Sequence, residues 1–227
     1  MAENTPENLA EPARLILIDK PIGWTSFDVV KKLKFAGKFK KIGHAGTLDP
    51  LATGLLILCT GKMTKQIDTY QAQEKTYSGK FVFGKTTPSI DLETPFDQIF
   101  EVNNITEEQI IQVAKQLTGT IEQFPPIFSA IKQDGKRLYE SARKGLEVVI
   151  KPRQVTISEF DLNLKNFPEI TFKIVCSKGT YIRSLVRDMG TLCNNGAYLS
   201  ELRREKIGNF NVKDALTIEQ FIETEKQ

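Results

Sequence analysis

The residue best placed to do chemistry is Asp49, in the run Gly43-His44-Ala45-Gly46-Thr47-Leu48-Asp49-Pro50, which continues to Gly54. Pro50 pushes the preceding residue towards extended backbone conformations, so the carboxylate is held in place before any ligand arrives. The glycines permit unusual dihedral angles or the close approach of a substrate. We interpret Asp49 as a candidate nucleophile. The alternative on these residues alone is a structural Asp-Pro turn.

A carboxylate in an apolar loop needs a cation beside it to stay ionised. The segment Ser177-Lys178-Gly179-Thr180-Tyr181-Ile182-Arg183 opens a predicted helix and offers Arg183 as that cation, with Arg187 one turn later. The alternative is that both arginines are exposed helix charges.

His44 is the one histidine of the chain. Its ordinary pKa near neutrality is typical of a general base, but no Ser or Cys beside it forms a nucleophile motif. It is equally suited to stacking or hydrogen bonding. One histidine, with the widely spaced Cys59, Cys176 and Cys193, predicts no metal site, no disulfide framework and a reducing compartment.

The composition is that of an ordinary globular protein, with 227 residues, 40% hydrophobic, 26% charged and a net charge of +3. Two stretches are locally basic. Residues 31–41 hold six lysines and no acidic residue, and residues 124–153 hold seven Lys or Arg against three Asp or Glu. Each suits a phosphate backbone, although a solvated lysine-rich face is the alternative.

The beginning of the chain is a polar tail without the features of a signal peptide. The first apolar run, residues 15–18, has four residues, and the longest obvious one is residues 55–59, far short of the roughly 20 that cross a bilayer. We therefore expect a cytoplasmic protein with no membrane partner.

The reactive loop must be positioned by the elements around it. We predict a buried strand at residues 15–19, then a helix capped by Ser26 with Phe27, Val30 and Leu33 on its apolar side. A second strand, at 55–60, follows the loop.

Strands and helices intermix along the rest of the chain, which favours an α+β fold with a mixed, mostly antiparallel sheet. Residues 124–152 read as a basic insertion with a short strand and a helix at 138–144. The remaining predicted elements are strands at 75–83, 155–160, 171–177 and 198–203, and helices at 106–117 and 180–192.

Several motifs in the same order resemble the TruB-type tRNA pseudouridine synthases and together span nearly all of residues 15–210. The run from Gly43 to Gly54 is the most specific of them. The others are Asp19-Lys20-Pro21 with Gly23, Thr25 and Ser26; Lys75-Thr76-Tyr77; Ser129-Ala130-Ile131-Lys132; Cys176 to Arg183; and Leu202-Arg203-Arg204.

The resemblance implies the pseudouridine synthase fold and isomerisation of uridine 55 in the T-loop of tRNA, with no cofactor or metal. Asp49 matches the nucleophile, which attacks either C1' of the sugar or C6 of the base. Tyr77 matches the aromatic residue that stacks on the target ring and is expected to help remove the C5 proton. Arg183 matches the arginine that pairs with the nucleophile.

The resemblance also implies contacts to the RNA. His44 matches a residue that helps to hold the opened loop, Leu202 one that packs on the target base, and Lys20 with Pro21 a brace of the active site. The insertion resembles an RNA-gripping thumb. Other expected substrate-binding residues are Gly43, Thr47, Asp91, Lys132, Lys136, Tyr139, Arg143 and Tyr181.

Two features depart from the family pattern. Thr87-Pro88-Ser89 replaces a Thr-Asp-Thr run, with Asp91 retained two positions later. After Phe210 only 17 residues remain, too few for the appended RNA-binding module called PUA. We expect a tail at 1–13, a catalytic domain at 14–212 with the insertion, and a C-terminal helix at 213–227. Such a protein would be a monomer that acts on the T-arm of tRNA without a guide RNA.

Two other functions stay open. One is a catalytically silent RNA-binding or tRNA-folding protein on the same scaffold, which the joint presence of Asp49, Tyr77 and Arg183 disfavours. The other is a synthase of the same fold acting on another RNA.

Overall fold

The computed structural model describes residues 13–126, 132–133, 136–137 and 151–226. The chain divides into two compact units, Met1–Ala72 with Phe210–Gln227 and Gln73–Asn209, hereafter the first and the second unit. In chain order, the α-helices are α1 (Ser26–Ala36), α2 (Ile67–Ala72), α3 (Glu107–Gln116), α4 (Ile182–Leu192) and α5 (Ile218–Thr224). The strands are β1 (Leu15–Lys20), β2 (Ile42–His44), β3 (Thr53–Thr60), β4 (Lys75–Phe83), β5 (Lys85–Thr86), β6 (Gln98–Ile99), β7 (Gly119–Gln123), β8 (Lys132–Gln133), β9 (Lys136–Arg137), β10 (Arg153–Asn166), β11 (Glu169–Cys176), β12 (Ala197–Ile207) and β13 (Phe210–Asn211).

The first unit is built on β3, which pairs antiparallel with both β1 and β2. Alternate residues of β1 are buried, and β3 is buried almost throughout. Helices α1 and α5 supply the rest of the core, because their apolar sides pack on these strands. The buried cluster comprises Ile16, Ile18, Val29, Leu33, Phe39, Leu56, Leu58, Ile218 and Phe221.

The start of α1 differs from the prediction by one residue. Thr25, not Ser26, is the N-cap: its hydroxyl accepts from the backbone N of Asp28, and the Asp28 carboxylate accepts from the backbone N of Thr25. Ser26 is therefore the first helical residue. The inward side carries Ser26, Val29 and Leu33, whereas Phe27, predicted to be apolar core, is 69% exposed.

The second unit is an antiparallel sheet in the order β12-β4-β11-β10-β7. Helix α4 contacts β12, and α3 contacts α4 and β10. The aromatic side chains of β4 and β11 form much of the core, with the Phe81 ring centroid 5.5 Å from Phe83 and 6.1 Å from Phe172. The predicted α+β class and mostly antiparallel sheet are confirmed.

Most predicted elements differ from the observed ones by a few residues at their ends. The C-terminal segment differs more: the single helix expected at 213–227 is a 3-10 turn, Val212–Asp214, followed by α5. Leu216 explains the break, because its backbone N donates to Leu17 O and its carbonyl accepts from Asp19 N. The chain there runs beside β1 before the helix begins. None of the helices in the described ranges combines the length and the apolar character needed to cross a bilayer.

Candidate active site

A buried lysine of the first unit, Lys20, holds the loop that carries Asp49 by hydrogen bonds to backbone carbonyls. Lys20, fully buried at the end of β1, donates from Nζ to the carbonyls of Pro21 (3.0 Å), Trp24 (2.6 Å) and Pro50 (3.3 Å). Gly23 N also donates to Pro50 O, at 2.8 Å. An ammonium group with three donors can hold three carbonyls at once. The residue that follows Asp49 is thus tied to the β1–α1 connection at two points.

Ser26 makes a second connection to the same loop. Its hydroxyl accepts from Leu48 N at 2.8 Å and donates to Leu48 O at 3.2 Å, and the residue is 2% exposed. A hydroxyl is both donor and acceptor, so one buried side chain satisfies both polar groups of the Leu48 backbone. Asp49, half-buried, is therefore held on both sides, at Leu48 and at Pro50.

Glycine is required at two places around Asp49. Gly46 has φ of +100° and Gly54 has φ of +101°, conformations that residues with a Cβ rarely adopt. Between them, Ala52 N donates to Asp49 O at 3.1 Å and closes a turn.

The other predicted loop residues lie nearby in the chain: Gly43 and His44 in β2 and Thr47 in the loop, with Thr47 exposed. Pro21, on the β1–α1 connection, is also exposed.

In the second unit, Arg183 lies in the first turn of α4 and is 4% exposed. Its Nη1 donates to Ser89 O at 3.0 Å, and its Nε lies 3.7 Å from Asp91 Oδ2. Asp91 is also 4% exposed. The alternative that Arg183 is an exposed helix charge is therefore wrong. Asp91, expected to contact substrate, has a partner within the protein.

The segment around Asp91 is a tight turn with a strained residue. The carbonyl of Asp91 accepts from Thr87 Oγ1 at 2.6 Å and from Ser89 Oγ at 3.1 Å. Ile90 has φ of +66°, a left-handed conformation that costs a β-branched residue about 1–2 kcal/mol. Pro88 is exposed while Thr87 and Ser89 are buried. The departure from the family run therefore keeps two inward hydroxyls that shape the turn.

The backbone at the start of α4 is clamped by Gln123 of β7. The amide of Gln123 donates to Tyr181 O at 3.1 Å and accepts from Tyr181 N at 2.8 Å, and the residue is fully buried. The Tyr181 ring, half-buried, lies under the Arg153 guanidinium at 5.0 Å. This clamp fixes the backbone two residues before Arg183.

Arg187 differs from Arg183 in being partly exposed. It donates from Nη2 to Phe124 O at 3.0 Å and pairs with Asp188 at 2.8 Å. Burial raises the pKa of the Asp188 carboxyl, and Arg187 opposes that shift. Ser184 Oγ also donates to Phe124 O, at 2.8 Å. Arg187 thus helps to anchor the residue at which the insertion begins.

Tyr77 and Leu202 lie on paired strands of the second unit. Tyr77, 9% exposed, is opposite Ile174 on β11 and Arg204 on β12. Leu202, half-buried, is opposite Gly79. The β12 register shifts on both sides of Leu202, between residues 199 and 201 and between 204 and 206. Such bulges redirect side chains, so their positions set where Leu202 points.

The family model for the TruB family pseudouridylate synthase N-terminal domain matches residues 32–182, which include the Asp49 loop, Tyr77, Asp91 and Tyr181. The chain belongs to the TruB family. The tRNA pseudouridine synthase B of Flavobacterium johnsoniae is 53% identical, over 97% of this chain and 99% of that protein. The protein of the same name from Phocaeicola vulgatus is 46% identical, over 92% of each chain. The resemblance noted in the sequence is confirmed.

A solved structure agrees with this assignment. The chain matched in a crystal structure of a Cbf5-Nop10-Gar1 complex is 28% identical, with a TM-score of 0.72, over 92% of this chain and 53% of the matched chain. This protein therefore spans about half the length of that solved chain. The predicted pseudouridine synthase fold is confirmed.

The TruB-type insertion is described only in part. Lys132 and Lys136 lie on β8 and β9, a two-stranded antiparallel pair in which Lys132 is opposite Arg137. Tyr139, Arg143 and the predicted helix at 138–144 lie outside the described residues. The role of all four basic or aromatic side chains in gripping RNA stays a prediction.

Sequence reasoning missed Lys75, the first residue of the Lys-Thr-Tyr motif, as a buried cation. It is 6% exposed, and its Nζ donates to Gln73 O at 2.5 Å. Burial, followed by the charge of Arg204, lowers the pKa of Lys75 to about 8. Burial likewise raises the pKa of the Cys176 thiol, opposite Lys75 on β11, to about 11. Lys75 precedes Tyr77 by two residues in a strand predicted to be half-buried, so both side chains lie on the same face of that strand. This spacing was the sequence signal that Lys75 is buried.

Sequence reasoning also missed Gln123, which hydrogen-bonds the Tyr181 backbone, and the bonds of Ser26 to the Leu48 backbone. No group of three or more His, Cys, Asp or Glu side chains within the described part of the chain is arranged to hold a metal ion. Cys59, Cys176 and Cys193 are free thiols and buried.

Proposed function

We propose that this TruB-family protein isomerises uridine 55 in the T-loop of tRNA to pseudouridine, with Asp49 as the nucleophile and no cofactor. The observation that carries the proposal is the immobilised loop. Asp49 lies between two residues whose backbones are held by Ser26 and Lys20. A relative that is 53% identical over nearly the whole chain bears the name tRNA pseudouridine synthase B.

The reaction breaks the bond from C1' to N1, turns the base and joins C1' to C5. The base must first leave the folded loop, and unstacking it costs a few kcal/mol that protein contacts must offset. Asp49 attacks either C1' or C6 and forms a covalent intermediate, which divides the rearrangement into two easier steps. N1 gains a proton, and the hydrogen on C5 is lost as a proton when the new bond forms. A rigid nucleophile favours this reaction because less reorganisation is needed in the transition state.

Arg183 and Tyr77 complete the proposed chemistry. Arg183 supplies the positive charge that keeps Asp49 ionised, as the family resemblance implies. The support within the second unit is that Arg183 is buried and oriented by Asp91 and Ser89. Tyr77 stacks on the flipped base and helps to remove the C5 proton, and Leu202 packs against the base. His44 holds the opened RNA loop and is not a general base.

The remaining substrate contacts follow the same assignment. Lys132, Lys136, Tyr139 and Arg143 of the insertion grip the T-arm by shape and phosphate contacts. Gly43, Thr47, Asp91 and Tyr181 contribute to the site, and Lys20 with Pro21 braces it. The protein acts as a monomer without a guide RNA. Its three free thiols are in keeping with a reducing cytoplasm.

The test is to incubate the protein with an unmodified tRNA transcript and map pseudouridine by carbodiimide treatment and reverse transcription. The expected product is one pseudouridine at position 55. A transcript with cytidine at that position is the control and should show none. Tight binding of tRNA without any product would favour the tRNA-folding alternative. Product at another site or in another RNA would favour the second alternative.

A further inference from the structure

The outward side of α1 borders a groove that lies outside the buried core. The groove has a volume of about 610 Å³ and is lined by Gly23, Trp24, Asp28, Lys31, Lys32 and Phe35. Phe35 is 79% exposed and Phe27, on the same helix, is 69% exposed. The two phenylalanines lie on one 11-residue helix among polar residues, and an exposed apolar patch rimmed by polar residues marks an interaction site.

Lysines alternate with these rings. Phe27, Lys31 and Phe35 are spaced four residues apart, which places them along one side of the helix over about 12 Å. Lys31, Lys32 and Lys34 are all exposed, and residues 31–41 hold six lysines and no acid. The one acid lining the groove, Asp28, is engaged in the N-cap through Thr25. The surface is therefore aromatic and cationic.

We propose that this α1 groove is an RNA-docking surface, at which Lys31 and Lys32 contact phosphates and Phe35 stacks on an unpaired base of the tRNA. Exposed aromatic rings between basic side chains are the arrangement by which proteins bind single-stranded nucleic acid. A protein partner fits less well, because lysine is depleted from protein–protein interfaces. The inference rests on the proposed function, which makes tRNA the ligand.

The groove is directly connected to the reactive loop within the first unit. Gly23, which lines the groove, donates its backbone N–H to Pro50 O at 2.8 Å. Ser26, in the first turn of α1, holds Leu48 by two hydrogen bonds. RNA whose target base reaches Asp49 therefore has the α1 groove beside it, and bound RNA would also stabilise the helix that holds the loop.

The test measures tRNA binding over a series of salt concentrations for Lys31→Ala with Lys32→Ala, and for Phe35→Ala, Phe35→Leu and Phe35→Trp. The matched control for charge is Lys115→Ala with Lys165→Ala, two exposed lysines of the second unit. The lysine pair should lower the slope of log K against log salt by about 1.4–1.8 units, at 0.7–0.9 per phosphate contact. The control pair should lower it much less.

Phe35→Ala and Phe35→Leu should both weaken binding about five- to tenfold, the lower part of the range for one base–aromatic stack. Phe35→Trp keeps an aromatic ring and should bind like the wild-type protein. Normal binding by Phe35→Leu would overturn the proposal in favour of an apolar docking site. A wild-type dimer that Phe35→Ala dissociates, seen by light scattering, would overturn it in favour of self-association. An unchanged salt slope for the lysine pair would also overturn the docking proposal, even if the wild-type protein makes pseudouridine. A wild-type protein that makes no pseudouridine would instead refute the proposed function.

Discussion

Arg183 Nε lies 3.7 Å from Asp91 Oδ2, and both side chains are almost completely buried. The carbonyl of Ser89 accepts a hydrogen bond from the same guanidinium, so one short turn supplies both an anion and an acceptor. A buried guanidinium without its anion is costly. The turn from Thr87 to Asp91 thus helps to orient Arg183.

Replacing Asp91 tests this orientation. Asp91→Asn keeps the shape and an oxygen for the backbone N of Glu93, but removes the charge that faces Arg183. We expect kcat to fall at least tenfold with KM within about twofold, and the free energy of unfolding to fall by about 1–3 kcal/mol. Asp97→Asn, at an exposed acid that accepts from Thr86, is the control. An unchanged kcat would show that Asp91 does not position Arg183 for the reaction.

Lys20→Met tests the brace beneath the Asp49 loop. The change keeps the length of the side chain but leaves the carbonyls of Pro21, Trp24 and Pro50 without the ammonium group. We expect the free energy of unfolding to fall by about 2–4 kcal/mol. The variant loses hydrogen bonds worth about 1.5–3 kcal/mol each, and part of this loss is offset because the cost of burying the ammonium charge is also removed. Urea unfolding measures this change. Lys62→Met, at an exposed lysine of the same unit, should unfold like the wild-type protein.

Gln123→Leu tests the clamp on the start of α4. The variant removes two hydrogen bonds to the Tyr181 backbone. Tyr181 N–H loses its acceptor, whereas Tyr181 O still accepts from Leu185 N at 3.2 Å, so the expected cost is about 1–3 kcal/mol. Since Arg183 follows two residues later, kcat should fall more than tRNA affinity. Gln116→Leu on α3, at an exposed position, is the control. Equal losses in kcat and affinity would indicate that the clamp serves folding alone.

The lowered pKa of Lys75, about 8 against an ordinary 10.5, predicts a pH dependence of stability. Between these values the unfolded chain binds a proton that the folded chain has released, so the free energy of unfolding rises with pH. The penalty for burying the charge is complete below about pH 8 and disappears above about pH 10.5.

Lys75→Met isolates this effect because methionine does not titrate. We expect the stability of the variant minus that of the wild-type protein to decrease by about 1–3 kcal/mol between about pH 7.5 and about pH 10.5. Urea unfolding at several pH values measures it. A difference that stays constant over this range would show that the pKa of Lys75 is not lowered.

The sequence predicts the order of elements and the surroundings of Asp49, because both depend on local patterns. A continuous apolar run indicates β1, alternating apolar residues indicate β4, and glycines on either side of Asp49 indicate a shaped loop. The N-cap of α1 was harder to predict, since Thr25 and Ser26 are adjacent and both are good caps. Thr25 is the cap because Asp28, three residues later, completes a capping box with it. Phe27 is exposed for a different reason: the buried positions of α1 are 26, 29 and 33, and Phe27 lies on another side of the helix.

The contacts that hold the site were less predictable, because they join residues far apart in the chain. Ser89 and Asp91 meet Arg183 across more than 90 residues, and Gln123 meets Tyr181 across 58. No periodicity or spacing encodes such pairs. Buried polar groups need partners, but a single sequence does not say which residues supply them.

We expect Asp49 of this TruB-family protein to be the nucleophile of the isomerisation. Because C1' replaces the hydrogen on C5, tRNA transcribed with tritium at C5 of uridine releases tritium to water when pseudouridine forms. The wild-type protein should release the label of one uridine per tRNA, and Asp49→Ala should release none while binding tRNA with similar affinity. Release by Asp49→Ala at a rate near that of the wild-type protein would contradict this role of Asp49.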